Sequence, residues 1–190
     1  MVSRMLITVG HGTLKAEALL ALMNAVSVAE LVDVRSYPGS RHVPHVARAA
    51  MRVWLPAGGV AYRWEPALGG RRRVSRASIN IGLRNPSFRA YADHMATDEF
   101  RDALAVLVAA ARERRVAVMC AESVWWRCHR RLIADAAVLL HGCEVAHLFH
   151  DGRLESHRPS PEARVTHRDD GTAILVYDVG VDRPLIAGDA

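Results

Sequence analysis

Residues 115–121, RVAVMCA, limit the fold more than any other part of this sequence. Val116 to Cys120 is a continuous apolar run, without the alternation of apolar and polar residues that a half-exposed strand shows. A strand that is apolar on both faces is typical of a parallel sheet, because helices cover both sides of such a sheet. We therefore predict a buried strand here, in a fold that mixes strands and helices.

Four more segments have the composition of short strands: residues 4–10, 30–36, 59–64 and 143–152. Between the strands, apolar residues recur with the period of a helix, at residues 19–26, 45–55, 97–114 and 125–141. Thr97 favours the start of the third helix, because its hydroxyl can accept a hydrogen bond from the first helical turn. This alternation predicts a three-layer αβα sandwich with a mainly parallel sheet of about five strands.

Two segments depart from the alternation. Residues 68–87 contain glycine, arginine and serine without either period, which predicts a long loop with a functional role. Near the C-terminus, two apolar segments flank Asp170 and Gly171, as in a β-hairpin. We therefore divide the chain into an α/β domain over residues 1–157 and a C-terminal extension over residues 158–190, which forms either a hairpin or a flexible tail.

The composition excludes several classes of protein. The apolar runs are shorter than the roughly 20 residues of a membrane-spanning helix, and residues 5–10 are too short for a signal peptide. Three cysteines are an odd number and too few for the disulfide framework of a small secreted protein. We therefore expect a soluble protein in the cytoplasm, with reduced thiols and no membrane partner.

The positive charge is carried almost entirely by arginine. The net charge is +5, and Lys15 is the only lysine among 25 basic residues. The planar guanidinium group binds phosphate and carboxylate through paired hydrogen bonds. The arginines therefore indicate an anionic partner, such as a small molecule, a nucleotide or a nucleic acid, unless they reflect only a compositional bias. Nothing in the pattern identifies a cofactor or an oligomeric state.

The stretch from 119 to 131, MCAESVWWRCHRR, concentrates reactive side chains. Cys120 and Glu122 follow the predicted buried strand, at the edge where open parallel sheets bind their ligands. Cys128 and His129 fall in the first turns of the next predicted helix and face inward, where the positive end of the helix dipole favours a thiolate. We expect a reactive thiol at Cys128, whereas Cys120 is as suited to core packing as to chemistry.

Other polar residues follow neighbouring strands, whose carboxyl ends should meet at the same edge. The candidate catalytic residues are Cys128, His129, Cys120, Glu122 and His11. The candidate substrate-binding residues are Thr13, Asp33, Arg35, Arg41, Arg71 and Arg130. Less specific interpretations stay open, because Asp33 and Arg35 can form a structural ion pair and residues 71–73 can be a solvated loop.

The remaining histidines and aromatic residues have simpler interpretations. Three histidines are expected at the surface: His94, His141 and His167. His147 and His157 lie in and after the last predicted strand of the sheet, so either could approach the candidate site. Cys143 is expected in the core. Of the adjacent tryptophans at 125 and 126, we expect one to pack and the other to be exposed.

Six segments, in this order, resemble the motifs of the family catalogued as domain of unknown function 488: TVGHGT, LVDVRSYPGSR, GVAYRWEPALGGR, FRAYADHM, VMCAESVWWRCHRRLIA and VAHLFHDGRLESH. The resemblance extends from about residue 5 to 157 and implies a compact α/β domain, without supplying an activity. It implies that eight residues match the family's polar positions: His11, Asp33, Arg35, Cys120, Glu122, Cys128, His129 and Arg130. Gly12, where the family commonly has serine, and Trp125, where it often has proline, depart from the pattern.

Three functions fit these residues. In the first, Cys128 is an activated thiolate with His129 or His11 as acid and base, as in a thiol-dependent transferase or hydrolase. In the second, Cys120, Cys128, Glu122 and a histidine such as His11 bind zinc or iron, with a position left open for substrate. In the third, the arginine-rich edge binds a nucleotide or nucleic acid without catalysis. We favour the first, although the lack of glycine between the cysteines disfavours a phosphate-binding loop.

Overall fold

The computed structural model of the protein describes residues 5–39 and 43–179. This part of the chain contains eight strands: β1 (Leu6–Gly10), β2 (Glu30–Asp33), β3 (Ala61–Trp64), β4 (Val116–Cys120), β5 (Val145–Leu148), β6 (Leu154–Ser156), β7 (Ala163–His167) and β8 (Ala173–Tyr177). It also contains five α-helices: α1 (Ala16–Ala25), α2 (Arg48–Ala57), α3 (Pro86–Met95), α4 (Asp98–Glu113) and α5 (Arg130–His141). None of these helices has the length and apolar character needed to cross a membrane.

Six strands form one sheet in the order β3-β2-β4-β1-β5-β6. The first five strands in this order are parallel, and β6 runs antiparallel to β5 at one edge. β4 lies inside the sheet, and all five of its residues are buried. The structure thus confirms the predicted α/β fold with a mainly parallel sheet. It adds β6, whose three residues are exposed and too few to give a periodic signal in the sequence.

Helices cover both faces of the sheet, which separates two hydrophobic cores. Val32 and Val118 face one core, which includes side chains of α3, α4 and α5. Leu31 and Ala117 face the other core, which includes side chains of α1 and α2. Successive residues of a strand point to opposite faces of a sheet. The inner strands are therefore largely apolar on both faces, as the run in β4 predicts, and their buried polar residues, such as Thr8 and His147, are hydrogen-bonded.

The helix predicted from residue 125 begins five residues later. Trp125–Arg127 form a single 3₁₀ turn, Cys128 is extended (φ −122°, ψ 150°), and α5 begins at Arg130. The N–H of Cys128 donates to the carbonyl of Trp125 (3.1 Å) and closes this turn. Cys128 therefore lies just before the N-terminus of α5 rather than within the helix.

The segment around α3 differs from the sequence-based expectations. The side chain of Asn85 accepts a hydrogen bond from the N–H of Ser87 (2.9 Å), and Pro86 occupies the first helical position. The expected surface position of His94 is wrong, because its side chain is buried and its Nε2 donates to the carbonyl of Ala67 (2.7 Å). A histidine can be buried when a hydrogen bond satisfies its ring, which the sequence alone does not reveal.

β7 and β8 form the predicted hairpin, as a separate two-stranded sheet. Gly171 lies in the turn with a φ of +80°, a conformation that glycine adopts without strain. The hydroxyl of Tyr177 on β8 donates to Asp135 on α5 (3.0 Å), and its backbone carbonyl accepts from the N–H of Gly82 (2.7 Å). These contacts attach the hairpin to α5 and to the loop that precedes α3. Residues 180–190 lie outside the described residues.

Candidate functional site

A pocket of about 400 Å³ opens beyond the carboxyl ends of β2 and β4. Open parallel sheets bind ligands at this edge, because the loops that follow the strands meet there. Six of the predicted site residues line the pocket: Arg35, Arg71, Cys120, Glu122, Cys128 and His129. The order of strands in the sheet explains why residues far apart in the chain meet, since β2 and β4 are neighbours.

Two sulfur atoms and one imidazole nitrogen meet on the wall of this pocket. The Sγ atoms of Cys120 and Cys128 and the Nδ1 atom of His129 lie within 4.8 Å of one another. Nδ1 of His129 is 3.8 Å from Sγ of Cys120 and 3.6 Å from Sγ of Cys128. The exposed fraction is 8% for Cys120 and 3% for Cys128, so only a small molecule can reach the sulfurs.

The backbone sets the orientation of His129. Its Nε2 atom lies 3.2 Å from the carbonyl oxygen of Val34, which can only accept a hydrogen bond. In the neutral ring, Nε2 therefore carries the proton, and Nδ1 presents its lone pair to the two sulfurs. In this orientation Nδ1 can accept a proton from a thiol or ligate a metal ion.

The two cysteines of the pocket differ in ionisation. The hydrogen bond from the Cys120 thiol lowers the pKa of Cys128 well below that of an ordinary thiol, and His129 and Arg130 add to this effect against the opposing effect of burial. The same contact with Cys128, together with burial, raises the pKa of Cys120. The site therefore favours a thiolate at Cys128 beside a thiol at Cys120.

Arg130 holds the loop between the two cysteines. Its buried guanidinium donates to the carbonyl of Glu122, and its Nε lies 3.4 Å from Sγ of Cys128. Gly10, at the end of β1, makes room for this arrangement. A Cβ atom at Gly10 would overlap the carbonyl of Glu122 and lie 2.9 Å from Nη2 of Arg130. Arg130 therefore contacts the Cys128 sulfur from the interior of the protein. Gly10, whose missing side chain leaves room for the Glu122 carbonyl and Arg130, was not identified from the sequence.

Arg35 lines the pocket while it is bound to Asp33. Its Nε and Nη2 atoms donate to the two carboxylate oxygens at 2.8 and 2.6 Å. The hydroxyl of Tyr62 donates to the same carboxylate (2.8 Å). Asp33 is completely buried and Arg35 is 7% exposed. The pair therefore has the geometry of a structural ion pair, and Asp33 largely compensates the charge of Arg35.

His11 contacts Arg35 rather than the sulfurs. Its Nε2 lies 3.3 Å from Nη1 of Arg35, and its Nδ1 lies 2.9 Å from the carbonyl oxygen of Gly12. Burial lowers the pKa of His11. Within the described part of the chain, the histidine that completes a possible metal site with the two cysteines is therefore His129, in place of the expected His11.

The other predicted substrate-binding residues have different positions. Arg71 is exposed at the mouth of the pocket, where its guanidinium lies 5.8 Å from the centre of the Tyr37 ring. Thr13 is exposed and does not line the pocket. Arg41 lies outside the described residues. Next to Arg71, Arg72 donates to the backbone carbonyls of the same loop, so it maintains the loop conformation.

Several residues that line the pocket were not among the predicted site residues: Ser36, Tyr37, Phe88, Tyr91 and Arg127. Arg127 lies between the two candidate cysteines in the sequence, so its position could have indicated that it lines the pocket. Phe88 and Tyr91 belong to α3, which the apolar spacing did not predict, and the signal that pointed to them was the family motif FRAYADHM, which contains both. The Tyr91 ring packs 5.0 Å from the His129 ring and supports its orientation.

His147 and His157 belong to a separate buried cluster. Nδ1 of His147 lies 2.7 Å from the hydroxyl of Thr8, and its Nε2 lies 2.9 Å from Nδ1 of His157. Nε2 of His157 lies 2.9 Å from a carboxylate oxygen of Asp135. The ring of Trp125 stacks on His147 at 3.9 Å. Neither histidine lines the pocket, so this cluster joins β1, β5 and α5 rather than contributing to the site.

Comparisons with known proteins identify a family but no activity. No curated protein and no solved structure is detectably similar to this chain. The family model described as "Domain of unknown function DUF488" matches residues 15–137, a segment that includes both pocket cysteines. Since this match covers more than half of the sequence, the chain belongs to the DUF488 family.

Proposed function

We propose that the protein is an enzyme in which Cys128 is the nucleophile and a small anionic molecule bound in the pocket is the substrate. The observation that carries this proposal is the position of the Cys128 sulfur, 3.6 Å from Nδ1 of His129 and 3.4 Å from Nε of Arg130 on the pocket wall. A base beside the sulfur and a positive charge next to it are the two features that activate a cysteine.

The proposed reaction is a displacement in two steps. In the first step, the Cys128 thiolate attacks an electrophilic atom of the substrate, and the bond to the leaving group breaks. The leaving group takes the electron pair and a proton, which His129 supplies from Nδ1. In the second step, water or another nucleophile gives a proton to Nδ1 of His129, attacks the thiol-bound group and releases the thiolate. Water makes the enzyme a hydrolase, and any other acceptor makes it a transferase.

Positive charge at the mouth of the pocket supports an anionic substrate. Arg71 and Arg127 line the pocket with exposed guanidinium groups. Arg35 contributes less, because Asp33 compensates its charge. The volume of about 400 Å³ falls within the range of sites for small metabolites and nucleotides. Free thiols of this kind persist in a reducing compartment, so we place the activity in the cytoplasm.

Alkylation of Cys128 across pH tests the proposal. Iodoacetamide should modify Cys128 with a midpoint well below the roughly 8.5 of a free cysteine, and His129→Ala should move the midpoint upward. Cys143→Ser is the matched control, because Cys143 lies outside the pocket and should leave the profile unchanged. An ordinary thiol titration of Cys128 in the folded protein would refute the proposed thiolate.

The anionic substrate has its own test. Inorganic phosphate should protect Cys128 from alkylation, and the protection should weaken when Arg71 and Arg127 are both replaced by serine. Arg153→Ser is a matched control, since this arginine is exposed and does not line the pocket. Equal protection in both variants would show that the arginines at the mouth do not bind the anion.

A metal centre is the second candidate function, and one observation favours it. Cys120, Cys128 and Nδ1 of His129 could supply three ligands to zinc or iron, and the fourth position would face the pocket. The contact of His129 Nε2 with the Val34 carbonyl is typical of histidines that bind metals. Metal analysis of protein purified without a histidine tag tests this. One bound metal ion per chain, lost in Cys120→Ala and retained in Cys143→Ser, would support the metal centre over the nucleophile.

A further inference from the structure

The closeness of Cys120 and Cys128 has a chemical consequence beyond the activation of one sulfur. Both sulfurs lie on the same pocket wall, and they are within 4.8 Å of each other. The third cysteine, Cys143, lies outside the pocket, and its thiol donates to the carbonyl of Glu144. A thiolate beside a second thiol is the arrangement in which an oxidised sulfur is captured as a disulfide.

Building on the proposed nucleophilic role of Cys128, we propose that the protein reduces hydroperoxides through a reversible disulfide between Cys128 and Cys120. Cys128 is the sulfur that the hydroperoxide oxidises. Cys120 is the resolving residue, whose thiol converts the oxidised sulfur into the disulfide.

The cycle balances with a hydroperoxide as oxidant and a dithiol as reductant. The Cys128 thiolate attacks the outer peroxide oxygen, the O–O bond breaks, and the leaving alkoxide or hydroxide takes the proton that Nδ1 of His129 accepted from the Cys128 thiol. Cys128 becomes a sulfenic acid, oxidised by two electrons, and the peroxide is reduced to an alcohol or water. The Cys120 sulfur then attacks the sulfenic sulfur, which forms the disulfide and releases water. A dithiol reductant restores both thiols by exchange.

The local structure suits this cycle. The sulfurs must approach from within 4.8 Å to about 2.05 Å, the length of a disulfide bond. Cys128 is extended and lies between a 3₁₀ turn and α5, and Cys120 is the last residue of its strand. Both cysteines therefore lie at the borders of regular elements, on the same side of the pocket.

The burial of Cys128 selects a small oxidant. With an exposed fraction of 3%, its sulfur is reached more readily by the terminal oxygen of a hydroperoxide than by a protein disulfide. The Nε atom of Arg130, 3.4 Å from the sulfur, can donate to the oxygen that leaves. A hydroperoxide is thus small enough to reach the buried sulfur, and the guanidinium of Arg130 can stabilise the oxygen that leaves.

Peptide mapping after peroxide treatment tests the inference. The protein is treated with one equivalent of hydrogen peroxide, alkylated and digested with trypsin. Cleavage after Arg115, Arg127 and Arg130 separates the cysteines into peptides 116–127 and 128–130, while Cys143 falls in a third peptide. We expect peptides 116–127 and 128–130 to be joined by a disulfide that dithiothreitol reverses. Cys143→Ser should form the same disulfide.

Two further variants separate this inference from the proposed function. Cys120→Ser should still be oxidised at Cys128, but the product should stop at a sulfenic acid that dimedone traps. Cys128→Ser should consume peroxide no faster than denatured protein, and circular dichroism checks that both variants are folded. If the wild type accumulates sulfenic acid at Cys128 without a disulfide, the resolving role is wrong while the nucleophile stands. If Cys128 alkylates with an ordinary midpoint and is not oxidised, the proposed function fails as well.

Discussion

Asp33→Ala should destabilise the protein by about 3–5 kcal/mol, the cost of leaving one partner of a buried ion pair alone. Asp33 is fully buried and Arg35 is 7% exposed, so water cannot replace the lost carboxylate. The substitution removes acceptors at 2.8 and 2.6 Å from the guanidinium and the partner of the Tyr62 hydroxyl. The free energy of unfolding, measured by urea denaturation with circular dichroism, gives the loss. Adding Arg35→Met should recover part of it, because the unpaired charge is then absent.

An exposed ion pair provides the matched control. Asp98 and Arg101 form an exposed pair at 2.9 Å on the surface of α4. Asp98→Ala should cost at most about 1 kcal/mol, since water screens such pairs. If Asp33→Ala costs no more than Asp98→Ala, the structural interpretation of the buried pair is wrong. The charge of Arg35 would then be available to a substrate, as the sequence allows.

Three other substitutions test separate features of the fold and the site. Gly10→Ala should cost about 1–3 kcal/mol, the usual effect of overpacking, and should raise the alkylation midpoint of Cys128 by displacing the Glu122 carbonyl and Arg130. Gly39→Ala, where a Cβ would meet nothing within 4 Å, should change neither property. Tyr177→Phe should cost about 1–2 kcal/mol through the lost hydrogen bond to Asp135, measured by urea denaturation, whereas Tyr37→Phe at an exposed position should cost nothing measurable. Burial lowers the pKa of His147 to about 3. The unfolded chain therefore binds a proton that the folded protein does not, and the stability should fall by about 2 kcal/mol as the pH drops from 6.5 to 5. His147→Leu should flatten this dependence, and an unchanged slope would show that His147 is not its source.

The strands that carry the site were predictable because their sequences satisfy a severe constraint. A strand such as β4 contacts helices on both faces, so each of its residues must be apolar, and this excludes most alternatives. The same constraint places Cys120 at the edge where polar residues resume. Asp33 and Arg35 were predictable as neighbours, since alternate residues near a strand end share a face. The apolar composition of the strands was thus enough to place the strand ends from which Cys120, Asp33 and Arg35 extend.

The roles of individual side chains were not predictable in this way. His11 and His129 are both placed at the correct edge by the sequence, but only the contact with the Val34 carbonyl directs the His129 ring toward the sulfurs. The helix boundary at Arg130 depends on a 3₁₀ turn, and no apolar period distinguishes that turn from the helix that follows it. α3 was missed because its buried face includes His94, a polar residue that tertiary contacts satisfy. The contacts of His129 and His94 are long-range hydrogen bonds, and the turn before α5 is closed by a local one between Cys128 and Trp125; a pattern of apolar residues encodes neither.

The metal centre and the cysteine nucleophile require different protonation states of Cys120. A zinc or iron centre needs both cysteines as thiolates, whereas the hydrogen bond with Cys128, together with burial, raises the pKa of Cys120. Metal uptake would therefore release a proton from Cys120 and weaken as the pH falls, and a bound ion would block alkylation of Cys128. A nucleophile needs only the thiolate of Cys128, and a resolving cysteine gives up its proton only when it attacks the oxidised sulfur. The two functions thus differ in what happens to the Cys120 proton and in whether a bound ion covers the Cys128 sulfur. Stoichiometric zinc that protects Cys128 from alkylation at neutral pH would favour the metal centre, and alkylation unaffected by added zinc would favour the nucleophile.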